Sequence, residues 1–202
     1  MKTSTTSITR RTATALVAAA SLACLAGPAL AQSAPKVQFI TSEGNFVVEV
    51  YPDKAPKTVE NFLQYVKDKH YDGTIFHRVI NNFMVQGGGY DSAYAEKKTR
   101  APVVHEGREA LAKGGPKNIV ATLAMARTND PNSASSQFFI NVKDNDFLNP
   151  STQAPGYTVF GKVVIGMDVV NKIKTVPTGA GGPFPSDVPK TPVVIKSATL
   201  VN

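Results

Sequence analysis

Cysteine is almost absent from this sequence, since Cys24 is the only one among 202 residues. It lies in an N-terminal segment that we predict to be cleaved, so the mature chain would carry no cysteine and could form no disulfide. A chain without such cross-links must be held together by its hydrophobic core. The residues that follow the segment, 32–202, are enough for one domain of ordinary size.

Long apolar runs and strongly basic segments are absent too. The N-terminal apolar run, Ala13–Ala26, is too short to span a bilayer, and no later run is long enough. We therefore expect no membrane attachment after cleavage. The formal net charge is +7, and loss of three basic residues with the segment would leave +4. This mild excess forms no basic stripe or recognition motif, so we expect no nucleic acid binding.

Motifs for metal binding, phosphate binding and hydrolysis are also missing. His70, His77 and His105 have no metal-ligand spacing and no cysteine partners, so we expect no metal site. The glycine triplet at 87–89 is followed by neither GKS nor GKT, and no helix begins there, which excludes a phosphate loop. The serines of segment 133–136 lie in no nucleophile elbow, so a hydrolase is not indicated.

The first 31 residues have the features of a secretory signal peptide. The apolar run follows a basic start, and Ala29–Ala31 provides an A-x-A cleavage signal. The basic start consists of Lys2, Arg10 and Arg11. We predict cleavage after Ala31, which makes 1–31 a removable signal peptide and 32–202 the functional domain.

Two alternatives concern the same segment. Arg10-Arg11 suggests a twin-arginine signal, but residues 12–14 are Thr-Ala-Thr where apolar residues are expected. The export route is therefore left open between the general and the twin-arginine pathway. Cys24 would suit a lipoprotein, yet Ser21 stands where the lipidation signal needs a bulky aliphatic residue. This departure disfavours the lipoprotein interpretation.

The rest of the chain predicts a mainly β domain. A helix is predicted from Pro56, with Val59, Phe62, Leu63 and Val66 at helical spacing, and a second over Asp168–Lys174. Segments 87–118 and 177–192 are expected to be loops. Eight segments are predicted strands: Val37–Ile40, Phe46–Tyr51, Thr74–Ile80, Phe83–Gln86, Asn118–Met125, Ser136–Val142, Thr158–Val164 and Val193–Val201. Such a sequence favours a closed eight-stranded antiparallel β-barrel capped by two α-helices over a parallel sheet.

The predicted hairpin within residues 74–88 carries the clearest sign of a site. Period two places Phe76 and Arg78 on one face. An unpaired arginine is too costly to bury in a core, so this face is expected to be an outer one. Met84 and Gln86 share a face of the next strand. Together these apolar and hydrogen-bonding groups are typical of a small ligand site, although an edge hairpin with a snorkelling arginine would have the same pattern.

The predicted strand Ser136–Val142 adds a large aromatic side chain to this surface. Phe138 and Ile140 face the core, whereas Gln137 and Phe139 lie on the other face. An exposed aromatic residue can be incidental. Beside the arginine and glutamine of the hairpin, however, Phe139 is expected to be the wall of a pocket.

Several long motifs resemble those of the cyclophilins, a family of peptidyl-prolyl cis-trans isomerases, in the same order along the chain. They cover nearly all of the mature chain and are sharpest at FHRVIxxFMVQGG (76–88), LAMAR (123–127), SQFFIN (136–141) and VFGKV (159–163). The resemblance implies an eight-stranded antiparallel barrel with two helices. Together with the signal peptide, it implies the bacterial periplasmic branch and an enzyme that needs no cofactor.

The resemblance also implies a role for individual residues. Arg78 would be the catalytic residue. Gln86 and Gln137 would hold the substrate backbone, together with Ala126 and the main chain of Arg127. The proline pocket would be lined by Phe83, Met84, Phe139 and Leu148. The partners implied are proline-containing polypeptides, and we expect the protein to be a monomer.

Three positions depart from the pattern of many eukaryotic members. Tyr157 replaces a histidine, Phe147 a tryptophan and Arg127 an asparagine, and all three are retained here as predicted substrate-binding residues. The departures leave isomerase activity expected but imply only weak cyclosporin binding. A holdase chaperone would keep the apolar groove without needing Arg78, and a structural barrel would need no mixed patch. A chaperone role alongside catalysis is left open.

Overall fold

The computed structural model describes residues 1–4 and 33–201, and the chain divides into two units, 1–32 and 33–202. The predicted signal peptide, its cleavage site at Ala31 and Cys24 fall almost entirely outside the described residues, so those assignments stay predictions. Within the described residues, no helix has both the length and the apolar character that a membrane crossing requires.

The second unit is built on one antiparallel sheet of eight strands. The strands of the unit are β1 (Lys36–Thr41), β2 (Asn45–Val50), β3 (Arg78–Ile80), β4 (Met84–Gly87), β5 (Thr122–Met125), β6 (Phe138–Asn141), β7 (Val159–Ile165), β8 (Thr178–Gly181), β9 (Phe184–Pro189) and β10 (Ile195–Val201). The strand order of the large sheet is β10-β1-β2-β7-β5-β6-β4-β3, and β8 pairs with β9 in a separate hairpin. The helices are α1 (Pro56–Lys67), α2 (Gly107–Ala112) and α3 (Met167–Ile173).

The prediction of a mainly β fold is confirmed, but the prediction of a closed barrel is wrong. Each predicted strand overlaps one strand of the large sheet. The sheet is open, however, with β10 and β3 at its edges. An isolated bridge between Ile75 and Val194 links the two edges. Backbone hydrogen bonds flank it, with Gly73 N–H donating to the Ile195 carbonyl, Ile195 N–H to Thr74 and Phe76 N–H to Val193, but among the described residues no continuous ladder joins β3 to β10. Thr74–His77 are all buried, so buried and exposed residues do not alternate along this part of the predicted strand Thr74–Ile80.

Loss of alternation also corrects the predicted face of Phe76. Its ring is fully buried in the main core, whereas Arg78 is exposed. The two side chains therefore do not share a face. The irregular backbone at 76–77, which belongs to no strand, removes the period-two relation on which the prediction depended.

The core lies between the sheet and α1. The apolar face of α1 buries Val59, Phe62 and Val66, as its spacing predicted. The Phe62 ring lies 5.1 Å from that of Phe160 and 6.1 Å from that of Phe138, measured between centroids. These aromatic contacts hold the inner face of β6 and β7, so the outer face of the same strands has a rigid base.

A third helix, α2, lies within the segment 87–118 that was predicted to be a loop. It has six residues, too few to show a helical period. The preceding Glu106 is buried, and its carboxylate accepts hydrogen bonds from the backbone N–H groups of Lys57, at 3.1 Å, and Thr58, at 2.7 Å. It thus satisfies donors at the start of α1, which has no side-chain cap of its own.

The hairpin β8–β9 likewise replaces the loop predicted for 177–192. Glycine and proline are frequent in it, and such residues usually indicate turns and loops. It adjoins β3. Its turn packs closely on the Tyr94 ring, since a β-carbon on Gly182 would lie 2.4 Å from that ring. The hairpin is therefore part of the surface on which Arg78 lies.

Candidate active site

A row of side chains crosses three neighbouring strands on the outer face of the sheet. Arg78 of β3 is paired with Gln86 of β4, and Gln86 is paired with Phe139 of β6. Side chains directly opposite each other in a sheet lie on the same face. Strand pairing thus brings a guanidinium and an amide beside an aromatic ring, as the alternation predicted.

This row borders a cavity of about 350 Å³. Ten of the eleven predicted site residues line it: Arg78, Phe83, Met84, Gln86, Ala126, Arg127, Gln137, Phe139, Leu148 and Tyr157. Three residues that were not predicted line it too: His77, Tyr90 and Phe184. The structure therefore brings the predicted set together, while the role of each residue in binding or catalysis stays a prediction.

An apolar cluster separate from the main core forms the base of the cavity. It includes Met84, Phe139 and Leu148, which are 2%, 4% and 8% exposed. Phe83 and Tyr157 pack against it and are partly buried. A concave apolar surface of this size suits a small apolar ring.

Two amides border this apolar base. Gln86 Nε2 donates a hydrogen bond to Gln137 Oε1 at 3.1 Å. Gln137 lies so close to the backbone of Gly89 that a β-carbon there would come within 2.5 Å of its Cγ. Gly88 adopts a φ of +87°, which favours glycine. Gly89 therefore allows close packing beneath the amides, a role that the composition of the triplet alone did not indicate.

Buried amides anchor the segment that supplies Leu148. Asn145 Nδ2 donates to the carbonyl of Phe83 at 2.9 Å and to Asn141 Oδ1 at 2.7 Å. Asn141 Nδ2 in turn donates to Thr122 Oγ1 at 2.9 Å. Since buried polar groups are costly to leave unpaired, this network fixes the segment against the sheet. Leu148 is therefore held as a firm wall of the cavity.

The side chain of Arg127 is bound at the opposite rim. Its Nε and one terminal nitrogen donate to the carbonyl of Gly156 at 3.1 and 2.8 Å. Its guanidinium carbon lies 4.5 Å from the centre of the Tyr157 ring, and that ring meets Phe139 edge to face at 5.5 Å. Arg127 therefore braces Tyr157, and through it the aromatic wall.

Arg78 is the less constrained arginine. Its side chain is exposed, and its guanidinium carbon lies 5.9 Å from the centre of the Phe83 ring. Among the described residues it forms no ion pair or side-chain hydrogen bond within ordinary distance limits. Its N–H donors are therefore available at the rim of the apolar cavity.

Phe147 is the predicted site residue that does not line the cavity. Its side chain is 73% exposed and stacks on Phe83 with ring centres 5.6 Å apart. Sequence neighbours in a short 3-10 turn (Asp146–Leu148) point in different directions, which directs Leu148 inward and leaves Phe147 outside. Phe147 therefore extends the rim beyond Phe83.

His77 is buried at the other end of the cavity, beside Arg78. Burial lowers its pKa to about 4, so the ring is neutral near pH 7. His77 lies in the irregular backbone at 76–77, where counting along a strand gives no facing direction. Tyr90 and Phe184 lie in segments predicted to be loops, where no alternation could indicate a facing direction.

Curated bacterial proteins resemble most of the chain. Peptidyl-prolyl cis-trans isomerase cyp18 of Streptomyces antibioticus is 54% identical over 168 residues, covering 82% of this chain and 98% of that protein. Peptidyl-prolyl cis-trans isomerase B of Escherichia coli (strain K12) is 53% identical, covering 81% and 98%. Peptidyl-prolyl cis-trans isomerase A of Dickeya dadantii (strain 3937) is 44% identical over 194 residues, covering 96% and 99%.

Solved structures and a family model agree with these relatives. A crystal structure of a cyclophilin type isomerase from Cryptosporidium parvum matches with a TM-score of 0.66 and 25% identity, covering 84% of this chain and 98% of that one. A second, obtained in the presence of the dipeptide Ala-Pro, matches with a TM-score of 0.65. The model of the cyclophilin type peptidyl-prolyl cis-trans isomerases matches residues 36–200. The chain belongs to this family of cyclophilin type isomerases.

Proposed function

We propose that the chain catalyses cis–trans isomerisation of X-Pro bonds in polypeptides, with Arg78 as the residue that stabilises the twisted amide. The observation that carries this proposal is the placement of the Arg78 donors at the rim of an apolar cavity of about 350 Å³. Family membership supports the reaction class. The cavity supports the choice of proline, whose ring is small and apolar.

The reaction suits these groups because no covalent bond is broken. An X-Pro bond rotates over a barrier of about 18–20 kcal/mol that arises from amide conjugation. At the top of this barrier conjugation is lost, and the prolyl nitrogen can accept a hydrogen bond. A donor that reaches the nitrogen only in this state lowers the barrier, because it stabilises the twisted state more than it stabilises either planar isomer.

The two sides of the cavity would have different roles in binding the substrate. The apolar base formed by Met84, Phe139 and Leu148 would hold the proline ring, while the amides of Gln86 and Gln137 would hold the adjoining backbone. One side of the bond can then rotate against the other. Arg78 would donate to the prolyl nitrogen, and its guanidinium stays protonated throughout the working pH range.

The substrates proposed are exported polypeptides that fold in the periplasm, where the chain itself would act as a monomer. The predicted signal peptide supports this location. The Dickeya dadantii relative adds support, since its match covers 96% of this chain and thus reaches into the N-terminal segment. Weak cyclosporin binding is proposed as well, because Phe147 has no N–H group to donate.

The proposal is tested by refolding of a protein whose rate is limited by proline isomerisation. The mature chain, residues 32–202, should shorten this phase, which lasts tens to hundreds of seconds without catalyst. A folded Arg78→Ala variant should not. Sedimentation equilibrium of the same preparation tests the monomer. No acceleration by the folded wild-type chain would refute the proposed function.

A further inference from the structure

Three aromatic side chains form a compact cluster at the end of the cavity beside Arg78. The imidazole of His77 stacks on the Phe184 ring, with centres 5.3 Å apart and planes inclined by 28°. Tyr90 meets both edge to face, at 4.8 Å from His77 and 5.1 Å from Phe184. All three line the cavity. The base for a proline ring accounts for none of them.

The cluster is assembled from three separate parts of the chain. His77 immediately precedes β3, Tyr90 follows the glycine triplet, and Phe184 begins β9. The turn of the β8–β9 hairpin is fixed against Tyr94 by the close approach of Gly182. Phe184 is half-buried and is therefore held at the cavity edge with part of its ring accessible.

Besides the Tyr90 hydroxyl, the cluster contains one buried polar atom that has no partner in the part of the chain that the structure describes. Nδ1 of His77 is buried and has no hydrogen-bond partner among the described residues. A buried polar group without a partner is costly, and such groups tend to occur at functional sites. The imidazole is neutral near pH 7 because burial lowers its pKa to about 4. The cluster thus offers aromatic faces and no formal charge.

We propose that His77, Tyr90 and Phe184 form a second subsite of the groove, which takes a large apolar side chain from a residue flanking the substrate proline. This inference rests on the proposed isomerase function. The cluster is continuous with the proline cavity, so a bound peptide passes from one into the other. Its aromatic faces favour an aromatic or branched aliphatic side chain over glycine.

The experiment measures how the isomerase distinguishes peptides that differ beside the proline. In one tetrapeptide series the residue directly before proline is Phe or Gly, and in the other the residue directly after proline is Phe or Gly. A reference peptide carries Gly at both places. NMR exchange measures isomerisation directly, so no coupling protease adds its own preference. The wild-type mature chain should prefer Phe by about 10-fold in kcat/KM in one series, a size typical of apolar pocket contacts.

Phe184→Ala should reduce that preference to about 2-fold, and Phe184→Leu should leave an intermediate value, because leucine retains part of the apolar wall. Both variants should lose more kcat/KM on the Phe peptide of the preferred series than on the reference peptide. Ser186→Ala is the matched control, since Ser186 is exposed in the same strand and its hydroxyl donates to the neighbouring Asp187 carboxylate. It should keep the full preference.

Each other outcome overturns the inference. An equal preference in wild type and Phe184→Ala refutes the subsite while leaving the proposed function intact. A uniform loss on all peptides, the reference included, makes Phe184 a support for Arg78 instead. No isomerase activity in the folded wild type refutes the proposed function and this inference with it. Should Phe184→Ala fail to fold by circular dichroism, Phe184→Leu and Tyr90→Leu decide the question.

Discussion

Replacing Arg78 by alanine should remove most isomerase activity while leaving the protein folded. The side chain is exposed, and its guanidinium carbon lies 5.9 Å from the centre of the Phe83 ring. A cation–π contact at an exposed site contributes roughly 0.5–1 kcal/mol, so stability should fall by no more than that. The loss of transition-state stabilisation should be larger.

The magnitude of this loss of transition-state stabilisation follows from the removal of a single aimed donor. Removal of one such donor from an oxyanion hole costs about 3–4 kcal/mol. Arg78 lies at an exposed rim, where water weakens electrostatic interactions, so we expect the range to extend down to about 2 kcal/mol. A loss of about 2–4 kcal/mol corresponds to roughly 30- to 900-fold in kcat/KM. Kinetics should therefore change far more than stability.

Arg78→Lys should be nearly as inactive as Arg78→Ala. A lysine ammonium keeps the charge, but it is strongly hydrated and lacks the planar fork that aims a donor. If the bond to the prolyl nitrogen forms only in the twisted state, kcat and kcat/KM should fall together while peptide affinity is little changed. Phe139→Ala should differ, since it removes pocket wall and should weaken peptide binding as well.

The assay compares NMR exchange kinetics, peptide titration and urea unfolding for the same set of variants. Arg108→Ala is the matched control, because Arg108 is also an exposed arginine but bonds to the Ser151 carbonyl away from the cavity. It should keep wild-type activity. Full activity in folded Arg78→Ala would refute the donor mechanism and favour a groove that acts by confinement alone.

Five further predictions follow from the chain. The mature protein should begin after Ala31 by intact mass, and retention of Cys24 would restore the lipoprotein interpretation. Activity should be nearly flat between about pH 6 and 9, because arginine and amides do not titrate there; a bell-shaped profile would contradict this. Below pH 6.5 the unfolded chain takes up a proton at His77 that the folded protein takes up only near its pKa of about 4. As the pH falls between these two values, wild type should therefore lose about 3 kcal/mol of stability relative to His77→Phe, as measured by urea unfolding. Phe147→Trp should tighten cyclosporin inhibition by supplying an indole N–H donor, and equal inhibition of wild type and variant would count against that role. Glu106→Ala should lower the free energy of unfolding by about 3 kcal/mol, because backbone donors at the start of α1 lose a buried acceptor; unchanged urea midpoints would show that the donors find other partners.

The site was predictable from the sequence wherever regular strand pairing holds. Alternation in β4 and β6 places Gln86 and Phe139 on the outer face, and the register joins them to Arg78. Each of these side chains has only two possible faces, and the cost of burying an unpaired charge chooses between them. The motifs that resemble the cyclophilins then supply the residues of the surrounding segments, such as Leu148.

Prediction failed where no local period exists. Phe76 and His77 lie just outside β3, and the face of neither follows from counting along the strand. Glu106 caps a helix that begins about fifty residues earlier in the chain, a relation that only the folded structure creates. Phe184 lies in a hairpin rich in glycine and proline, whose composition indicates a turn but not its contacts.

The failures at His77 and Phe184 concern the same end of the groove, and this has a physical consequence. In the base of the proline cavity, Met84 and Phe139 belong to the regular sheet, where pairing to neighbours on both sides fixes each side chain. In the cluster beside Arg78, His77 and Tyr90 lie outside the strands, and Phe184 belongs to the small β8–β9 hairpin, which is separate from the large sheet. Loops and hairpins accept substitutions more easily than paired strands. Isomerisation can therefore be kept by the sheet while the hairpin changes which residue is preferred beside the proline, so selectivity and basal activity should respond to different substitutions.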